Sequence, residues 1–272
     1  MNITDILRKY GIHLKDSLGQ NFIKDERILS RIVKDSGITD EATVIEIGIG
    51  LGTLTLKLAK KAKKVIGFEI DKRFEQIHKE LLSDKNIQII YEDFLKADLK
   101  DYDSRPLFYV ANIPYYITSP ILEKILFEGP AFEAAILMVQ KEYAERLLAK
   151  PSSKSYGALT VTIGAFTMVR RLFNVSRKAF IPAPAVDSSV VKLIMREQTL
   201  VPLNEKRRFR NFVKLAFSHR RKKLKNNLKP IIDNPEEFLR SLGFSVNVRA
   251  EELTIESFVK LYEASKRWNK NE

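Results

Sequence analysis

The segment Asn112-Ile113-Pro114-Tyr115 carries groups that can hold a flat aromatic amine for attack on a methyl donor. The amine of adenine shares its lone pair with the ring, so positioning helps it more than a strong base does. Asn112 and Ile113 offer a side-chain and a main-chain oxygen to the two amine hydrogens. Pro114 adds no competing N–H, and Tyr115 or Tyr116 can stack on an unstacked base. The alternative is an ordinary turn that ends a strand.

Three glycines at alternate positions, Gly48, Gly50 and Gly52, follow a short β-branched apolar run. Glycines at this point permit positive φ angles and let a ligand approach the main chain. A dinucleotide-binding turn has the spacing G-x-G-x-x-G, but here Thr53 follows the third glycine directly. The G-x-G-x-G spacing suits a ligand without phosphates, such as S-adenosylmethionine. The alternative is a glycine-rich turn that binds nothing.

Acidic residues follow the next two predicted strands. Glu69 lies about 20 residues beyond the glycines, where a carboxylate can accept hydrogen bonds from two ribose hydroxyls. Asp93 ends the third strand and can accept from an adenine amino group. The alternatives are a solvated charge for Glu69 and an N-cap or Asx turn for Asp93.

These residues can form one site only if a sheet brings the strand ends together. The alternation of apolar runs with helical patterns predicts such a sheet, with mostly parallel strands. Strands are predicted near 43–48, 65–70, 87–91, 107–112, 134–139, 158–168 and 188–195. Helices are predicted near 53–63, 71–83, 118–128 and 140–149. The last two strands lack a convincing helix between them, which indicates a final antiparallel hairpin. Ligands of such sheets bind at the carboxyl ends of the strands.

The alternation stops after Arg196, and only helical patterns follow, near 204–218, 220–228, 235–242 and 254–267. We therefore predict two domains, a ligand-binding α/β domain over 1–200 and a small all-helical domain over 201–272. Gln20 and Asn21 precede the sheet and could fold over the glycine turn as an N-terminal lid, and the alternative is an ordinary N-terminal loop.

Composition excludes several classes of protein. The 272 residues include no cysteine and three histidines, so disulfides, cysteine nucleophiles and thiolate metal sites are excluded, and we expect no metal. No apolar run approaches the ~18 residues that span a bilayer, and the N-terminus lacks a signal-peptide core. We expect a cytoplasmic protein without a membrane partner.

The formal net charge of +13 favours a polyanionic partner. Residues 204–229 hold eleven Lys or Arg and one acid, Glu205. A lysine-rich thermophile surface is the alternative, but it predicts matching glutamates. We therefore predict that the helical domain binds nucleic acid, with Arg220, Arg221, Lys222 and Lys223 among its contacts.

Seven ordered motifs resemble those of the ribosomal RNA small-subunit adenine N6,N6-dimethyltransferase family, of the KsgA type. They are SLGQNFI at 17–23, EIGIGLG at 46–52, EID at 69–71, ED at 92–93, NIPY at 112–115, FIPAPAVDS at 180–188 and the basic segment 217–228. The departures are mild: Ile49 replaces a common proline, and Ile23 and Ile113 replace common leucines.

The resemblance implies a class I S-adenosylmethionine-dependent, Rossmann-like fold with a seven-stranded sheet. It implies dimethylation of two adjacent adenosines in the 3′-terminal hairpin loop of 16S rRNA, a role in small-subunit biogenesis, and a monomer. The predicted cofactor contacts are Gln20, Asn21, Ile23, Gly48, Gly50, Gly52, Glu69, Ile70, Asp93, Phe94 and Asn112. The predicted catalytic residues are Asn112, Pro114 and Tyr115.

Two other functions remain open at this point. One is a related enzyme that methylates a large-subunit rRNA adenine and confers antibiotic resistance. The other is an assembly factor that binds RNA on a methyltransferase fold without catalysis. The 180–188 segment favours the small-subunit enzyme, and an intact Glu69, Asp93 and NIPY set argues against loss of catalysis.

Overall fold

The computed structural model describes residues 3–15, 18–83 and 86–268. A seven-stranded sheet dominates the first part of the chain, and a separate two-stranded sheet accompanies it. Within the described residues the strands are β1 (Phe22–Ile23), β2 (Thr43–Ile47), β3 (Lys64–Phe68), β4 (Ile87–Ile90), β5 (Leu107–Asn112), β6 (Ala134–Gln140), β7 (Thr167–Val175), β8 (Phe180–Ile181) and β9 (Ser188–Met195).

The strand order in the large sheet is β4-β3-β2-β5-β6-β9-β7. The five strands from β4 to β6 are parallel, and β9 runs antiparallel to β6. Every residue of β2 is buried, as expected for a parallel strand covered on both faces. Because β4, β3, β2 and β5 are neighbours, their carboxyl ends lie side by side at one edge.

Helices alternate with these strands and then continue alone. They are α1 (Ile3–Lys9), α2 (Glu26–Ser36), α3 (Thr53–Ala59), α4 (Glu75–Leu81), α5 (Thr118–Phe127), α6 (Lys141–Leu147), α7 (Ala158–Gly164), α8 (Lys206–Ala216), α9 (Leu224–Leu228), α10 (Pro235–Ser241) and α11 (Ile255–Trp268). Asp25 is the N-cap of helix α2, and its carboxylate accepts from the main-chain N of Arg27 at 2.9 Å.

The two-stranded sheet was not predicted. It pairs Phe22 with Ile181 and Ile23 with Phe180 in antiparallel register. Phe180 is fully buried, and Ile23 lies in the same apolar cluster as the sheet core. This pairing joins the N-terminal segment to the proline-rich segment that precedes β9.

The chain divides by contacts into two compact units. The first contains the residues up to Ala144 together with Arg170–Ile194, and the second contains Glu145–Val169 together with the residues from Met195 onward. One boundary of this division lies between Ile194 and Met195, and the division also assigns the earlier segment Glu145–Val169 to the second unit. Tyr156 of that segment donates to the main-chain oxygen of Leu253 at 2.8 Å, within the second unit.

Two predictions of secondary structure are wrong. Residues 158–164 form helix α7 rather than a strand, and the strand begins only at Thr167. Thr160 to Gly164 are all buried, and an apolar run that is buried all round has no periodicity to separate helix from strand. The helix predicted near 220–228 begins only at Leu224.

Candidate active site

A cavity of about 260 Å³ opens at the edge where the four parallel strands end. Its walls come from the glycine turn after β2, from the ends of β3, β4 and β5, and from the N-terminal segment 18–23. Eleven of the predicted site residues line it: Gln20, Asn21, Ile23, Gly48, Gly50, Glu69, Ile70, Asp93, Phe94, Asn112 and Pro114. Gly52 and Tyr115 are not among the lining residues.

The glycine turn has the backbone conformation that its spacing predicts. Gly48, Gly50 and Gly52 have φ angles of 77°, 57° and 78°, which residues with a Cβ rarely adopt. A Cβ on Gly48 would meet nothing within 4 Å, so the main chain there faces open space. A Cβ on Gly52 would lie 2.8 Å from the Leu82 side chain. The third glycine therefore permits close packing instead of lining the cavity.

Glu69 is held by main-chain donors beside this turn. Its Oε2 accepts from Gly50 N and its Oε1 from Asp71 N, both at 2.8 Å. Burial raises the pKa of the Glu69 carboxyl, and these two N–H groups oppose the rise. Each carboxylate oxygen keeps a second lone pair for a ligand hydroxyl.

Glu46 is a second carboxyl in the cavity wall, to which sequence reasoning gave no role. The side chain is 2 % exposed, and Oε2 has no hydrogen-bond partner among the described residues. Burial raises the pKa of Glu46 to about 8, with a further rise from nearby Glu69 and an opposing effect of Thr55. This carboxyl is therefore mainly protonated at neutral pH.

Asp93 and Ile70 also line the cavity. The Asp93 Oδ1 atom accepts from the main-chain N of Leu95 at 3.0 Å, which is the Asx turn weighed above. That bond uses one of the two carboxylate oxygens. Ile70 is 54 % exposed although it is large and apolar, so it offers a flat ring an apolar surface inside the cavity.

The Asn112 side chain lies at the end of β5 and contacts the N-terminal segment. Its Nδ2 donates to the main-chain oxygen of Asn21 at 2.8 Å. Because the amide nitrogen is committed in this way, Oδ1 is the end of the amide that can accept from another molecule.

The two tyrosines after Pro114 differ in their surroundings. The Tyr115 Oη lies 2.7 Å from Oγ of Ser188, which is fully buried, and burial raises the pKa of the Tyr115 phenol. Tyr116 lines the cavity and is 60 % exposed. Of the two rings offered by the sequence, Tyr116 is the more exposed.

The N-terminal segment contributes residues 18–23 to the cavity wall, including Gln20 and Asn21. Gln20 Nε2 donates to Oδ2 of Asp71 at 2.8 Å, and a Cβ on Gly19 would lie 3.1 Å from Cβ of Pro114. The Phe22 ring covers the glycine turn so closely that a Cβ on Gly50 would lie 2.6 Å from it. Phe22 and Asp71 belong to the motifs at 17–23 and 69–71 but were not among the predicted site residues, because nothing in the motifs marks contacts so distant in sequence. Ser17 of the same motif lies outside the described residues.

The predicted basic cluster lies in the second unit and has two parts. Arg220 pairs with Glu251, with 2.7 Å between Nε and Oε2, and donates to the main-chain oxygen of Ser153. Lys223 donates to Oδ1 of Asn247 at 2.6 Å. Arg221 and Lys222 are exposed. The cluster therefore combines cations held by the fold with cations that face solvent.

Among residues 3–15, 18–83 and 86–268, no group of three or more His, Asp or Glu side chains could hold a metal ion. No helix in that same part of the chain is long and apolar enough to span a bilayer.

The profile of the family described as "Ribosomal RNA adenine dimethylase" matches residues 11–267. The chain belongs to the ribosomal RNA adenine dimethylase family. It is 46% identical over 268 residues to the "Ribosomal RNA small subunit methyltransferase A" of Thermotoga petrophila. The alignment covers 98% of this chain and 97% of that protein. The predicted family and enzyme class are confirmed.

Solved structures similar to this dimethylase support the fold. A dimethyladenosine transferase from Plasmodium falciparum superposes with a TM-score of 0.81 at 31% identity, covering 91% of this chain and 98% of that one. The 23S rRNA methyltransferase ErmE superposes with a TM-score of 0.70 at 27% identity, covering 90% of this chain and 99% of that one. The predicted class I methyltransferase fold is confirmed, and this fold and family imply S-adenosylmethionine as the methyl donor.

Proposed function

We propose that this dimethylase transfers methyl groups from S-adenosylmethionine to N6 of two adjacent adenosines in the 3′-terminal hairpin loop of 16S rRNA. The observation that carries the proposal is the Asn112 amide, held at the end of β5 by Asn21 with Oδ1 available to an amine. The choice of the small subunit is supported by relatives that bear the small-subunit name at 46% and 42% identity.

The cavity residues fit the proposed cofactor by their chemistry. Glu69 offers carboxylate oxygens to ribose hydroxyls, and the spare oxygen of Asp93 can accept from the adenine amine. Ile70 provides an apolar face for the adenine ring, and the open main chain at Gly48 leaves room beside the glycine turn. When bound, S-adenosylmethionine supplies an electrophilic methyl group on a positively charged sulfur.

Asn112 turns the target amine into a nucleophile by orienting it. Its Oδ1 and the main-chain oxygen of Ile113 accept the two amine hydrogens, which directs the lone pair towards the methyl group. Pro114 brings no N–H that would compete for these oxygens. The amine proton leaves after attack, so no strong base is needed, and the rate gain comes mainly from positioning.

Tyr116 supplies the stacking surface for the adenine that leaves its own stack. Its 60 % exposure within the cavity lining supports this role. Tyr115 holds the NIPY turn in place, because its hydrogen bond to Ser188 joins the turn to the start of β9.

A large-subunit substrate is the second candidate, because ErmE shares the fold at 27% identity. The higher identity to small-subunit enzymes over nearly the whole chain favours the first. We further infer that the protein is monomeric, that it assists small-subunit biogenesis and that it acts in the cytoplasm, where ribosomal subunits are assembled. The basic cluster would then contact the rRNA backbone.

The test uses unmodified small subunits, large-subunit RNA and labelled S-adenosylmethionine, followed by mass mapping of the methylated adenosines. We expect dimethylation of two adjacent adenosines in small subunits alone. Methylation restricted to large-subunit RNA would show that the proposed small-subunit substrate is wrong. Titration calorimetry with S-adenosylmethionine distinguishes the enzyme from a non-catalytic assembly factor. The assembly factor would bind no S-adenosylmethionine even at millimolar concentration.

A further inference from the structure

His78 lies in helix α4, outside the cavity lining, and touches two segments that form the cavity. The ring is 1 % exposed. Its Nε2 lies 2.7 Å from the main-chain oxygen of Gly50, and its Nδ1 lies 2.8 Å from the hydroxyl of Tyr91. The two rings stack with centroids 5.7 Å apart and an angle of 19° between their planes.

These partners define the protonation state of the ring. The carbonyl oxygen of Gly50 can only accept, so Nε2 carries the proton. Nδ1 is then the acceptor for the Tyr91 hydroxyl. Burial lowers the pKa of His78, which keeps the imidazole neutral and preserves both bonds at neutral pH.

Gly50 is thereby fixed on both sides. Its N–H donates to Glu69 at 2.8 Å, and its C=O accepts from His78. Its φ angle of 57° is one that other residues rarely adopt. Tyr91 directly precedes Glu92 and Asp93 in the cavity wall. His78 therefore joins the glycine turn to the segment that carries the proposed adenine acceptor.

We propose that His78 is a positioning residue for the methyl donor, and that it holds the glycine turn and the Asp93 segment at the spacing the donor requires. The inference rests on the proposed use of S-adenosylmethionine. His78 does not touch the donor and takes no part in methyl transfer. It lowers the free energy of binding because the two segments are ordered before the donor arrives.

Three variants separate this role from simple packing. His78→Phe keeps a stacked ring but removes both hydrogen bonds, whereas His78→Gln keeps a donor near the position of Nε2. Lys79→Gln, on the exposed side of the same helix, is the matched control. Titration calorimetry gives the dissociation constants for S-adenosylmethionine and S-adenosylhomocysteine, and thermal unfolding gives Tm.

We expect His78→Phe to weaken binding of both ligands about tenfold, which is about 1.4 kcal/mol. The dissociation constants of His78→Gln should lie within about threefold of the wild-type values. Lys79→Gln should bind both ligands as the wild type does. The KM for the donor should rise by more than kcat falls. A lower Tm for His78→Phe with unchanged dissociation constants would overturn the role, and so would equal losses in the Phe and Gln variants.

Nuclear magnetic resonance of the ligand-free protein tests the geometry directly. Nitrogen shifts and two-bond couplings should show neutral His78 protonated at Nε2, and an Nδ1–H tautomer would overturn the inference. The outcomes also separate this role from the proposed function. If the wild type binds S-adenosylmethionine and the variants show the expected differences in affinity, but the wild type methylates no small subunits, the proposed substrate is wrong and the role of His78 is supported. A wild type that binds no S-adenosylmethionine would overturn both.

Discussion

The side-chain nitrogen of Asn112 donates a 2.8 Å hydrogen bond to the main-chain oxygen of Asn21, across 91 positions of sequence. The bond joins the end of β5 to the N-terminal segment, which lines the cavity. It also fixes the orientation of the amide, because a carbonyl oxygen accepts from the nitrogen end and not from the oxygen end. The N-terminal segment thus helps to define the direction in which Asn112 presents its acceptor.

Asn112→Ala should lower kcat by about 100-fold or more, because the amine loses the acceptor that aims its lone pair. Affinity for small subunits should remain near that of the wild type, since the amide orients a single base. Asn112→Asp keeps the size but places an oxygen opposite the Asn21 carbonyl, so it should also lose activity. Single-turnover methylation and a binding assay measure the two effects, and joint loss of rate and RNA affinity in Asn112→Ala would contradict this account.

Tyr116→Ala should raise KM for small subunits by about tenfold, because stacking of one base on an aromatic ring contributes ~1–3 kcal/mol. Tyr115→Phe should instead lower Tm, since it leaves the buried Ser188 hydroxyl without its partner. Steady-state kinetics and thermal unfolding of both variants measure the contrast. The target base would have to stack on Tyr115 if Tyr115→Ala raised KM while Tyr116→Ala did not.

Reversal of two charges in the basic cluster, Arg221→Glu with Lys222→Glu, should weaken binding to small subunits on the order of tenfold. The slope of log affinity against log salt should flatten by about 0.7–0.9 for each lost phosphate contact. Lys60→Glu with Lys61→Glu is the matched control, because these exposed lysines lie outside the cluster. Equal losses in the two pairs would indicate a general effect of net charge.

Arg220 should respond differently from its neighbours. It is paired with Glu251 and also donates to Ser153 within the second unit, so Arg220→Ala should lower Tm as well as RNA affinity. Thermal unfolding of Arg220→Ala beside Arg221→Ala measures the difference. Equal Tm values would show that the ion pair contributes little, as exposed pairs often do.

Glu46→Gln should change how stability depends on pH. The Glu46 carboxyl has an ordinary pKa of 4.5 and a pKa of about 8 in the folded protein. Between these values the folded state binds more protons than the unfolded state, so the wild-type free energy of unfolding falls as pH rises. Glutamine cannot titrate, so the variant does not share this fall. Its free energy of unfolding should rise by on the order of 3 kcal/mol relative to that of the wild type between pH 5 and pH 8. Urea unfolding across that range measures the gain, with exposed Glu41→Gln as the control, and parallel curves would refute the buried, protonated state.

The sequence was most informative where a local pattern has one physical solution. Apolar runs that end in glycine or a polar residue predicted the four strands around the cavity, because parallel strands place those endings along one edge. The alternation of G-x-G-x-G also predicted the positive φ angles of the turn. These features depend on residues that are close together in the chain.

Local pattern failed where distant contacts decide the structure. Residues 158–164 are rich in β-branched side chains but form a helix, and the burial of Thr160 to Gly164 leaves no periodicity in the sequence that separates helix from strand. His78 gave no signal, since its partners Gly50 and Tyr91 lie on other elements. The pairing of β1 with β8 likewise joins two short segments that are not recognisable as strands by themselves.

That pairing sets an order of events during synthesis. Phe22 and Ile23 leave the ribosome about 160 residues before their partners Phe180 and Ile181. At ~5–20 residues per second, the delay is roughly 10–30 s. Throughout this interval β1, whose Phe22 and Ile23 line the cavity, lacks its pairing partner. A nascent chain therefore cannot anchor this part of the cavity wall until about two thirds of the polypeptide has been translated, so an enzyme of ribosomal RNA completes its binding site late in its own production.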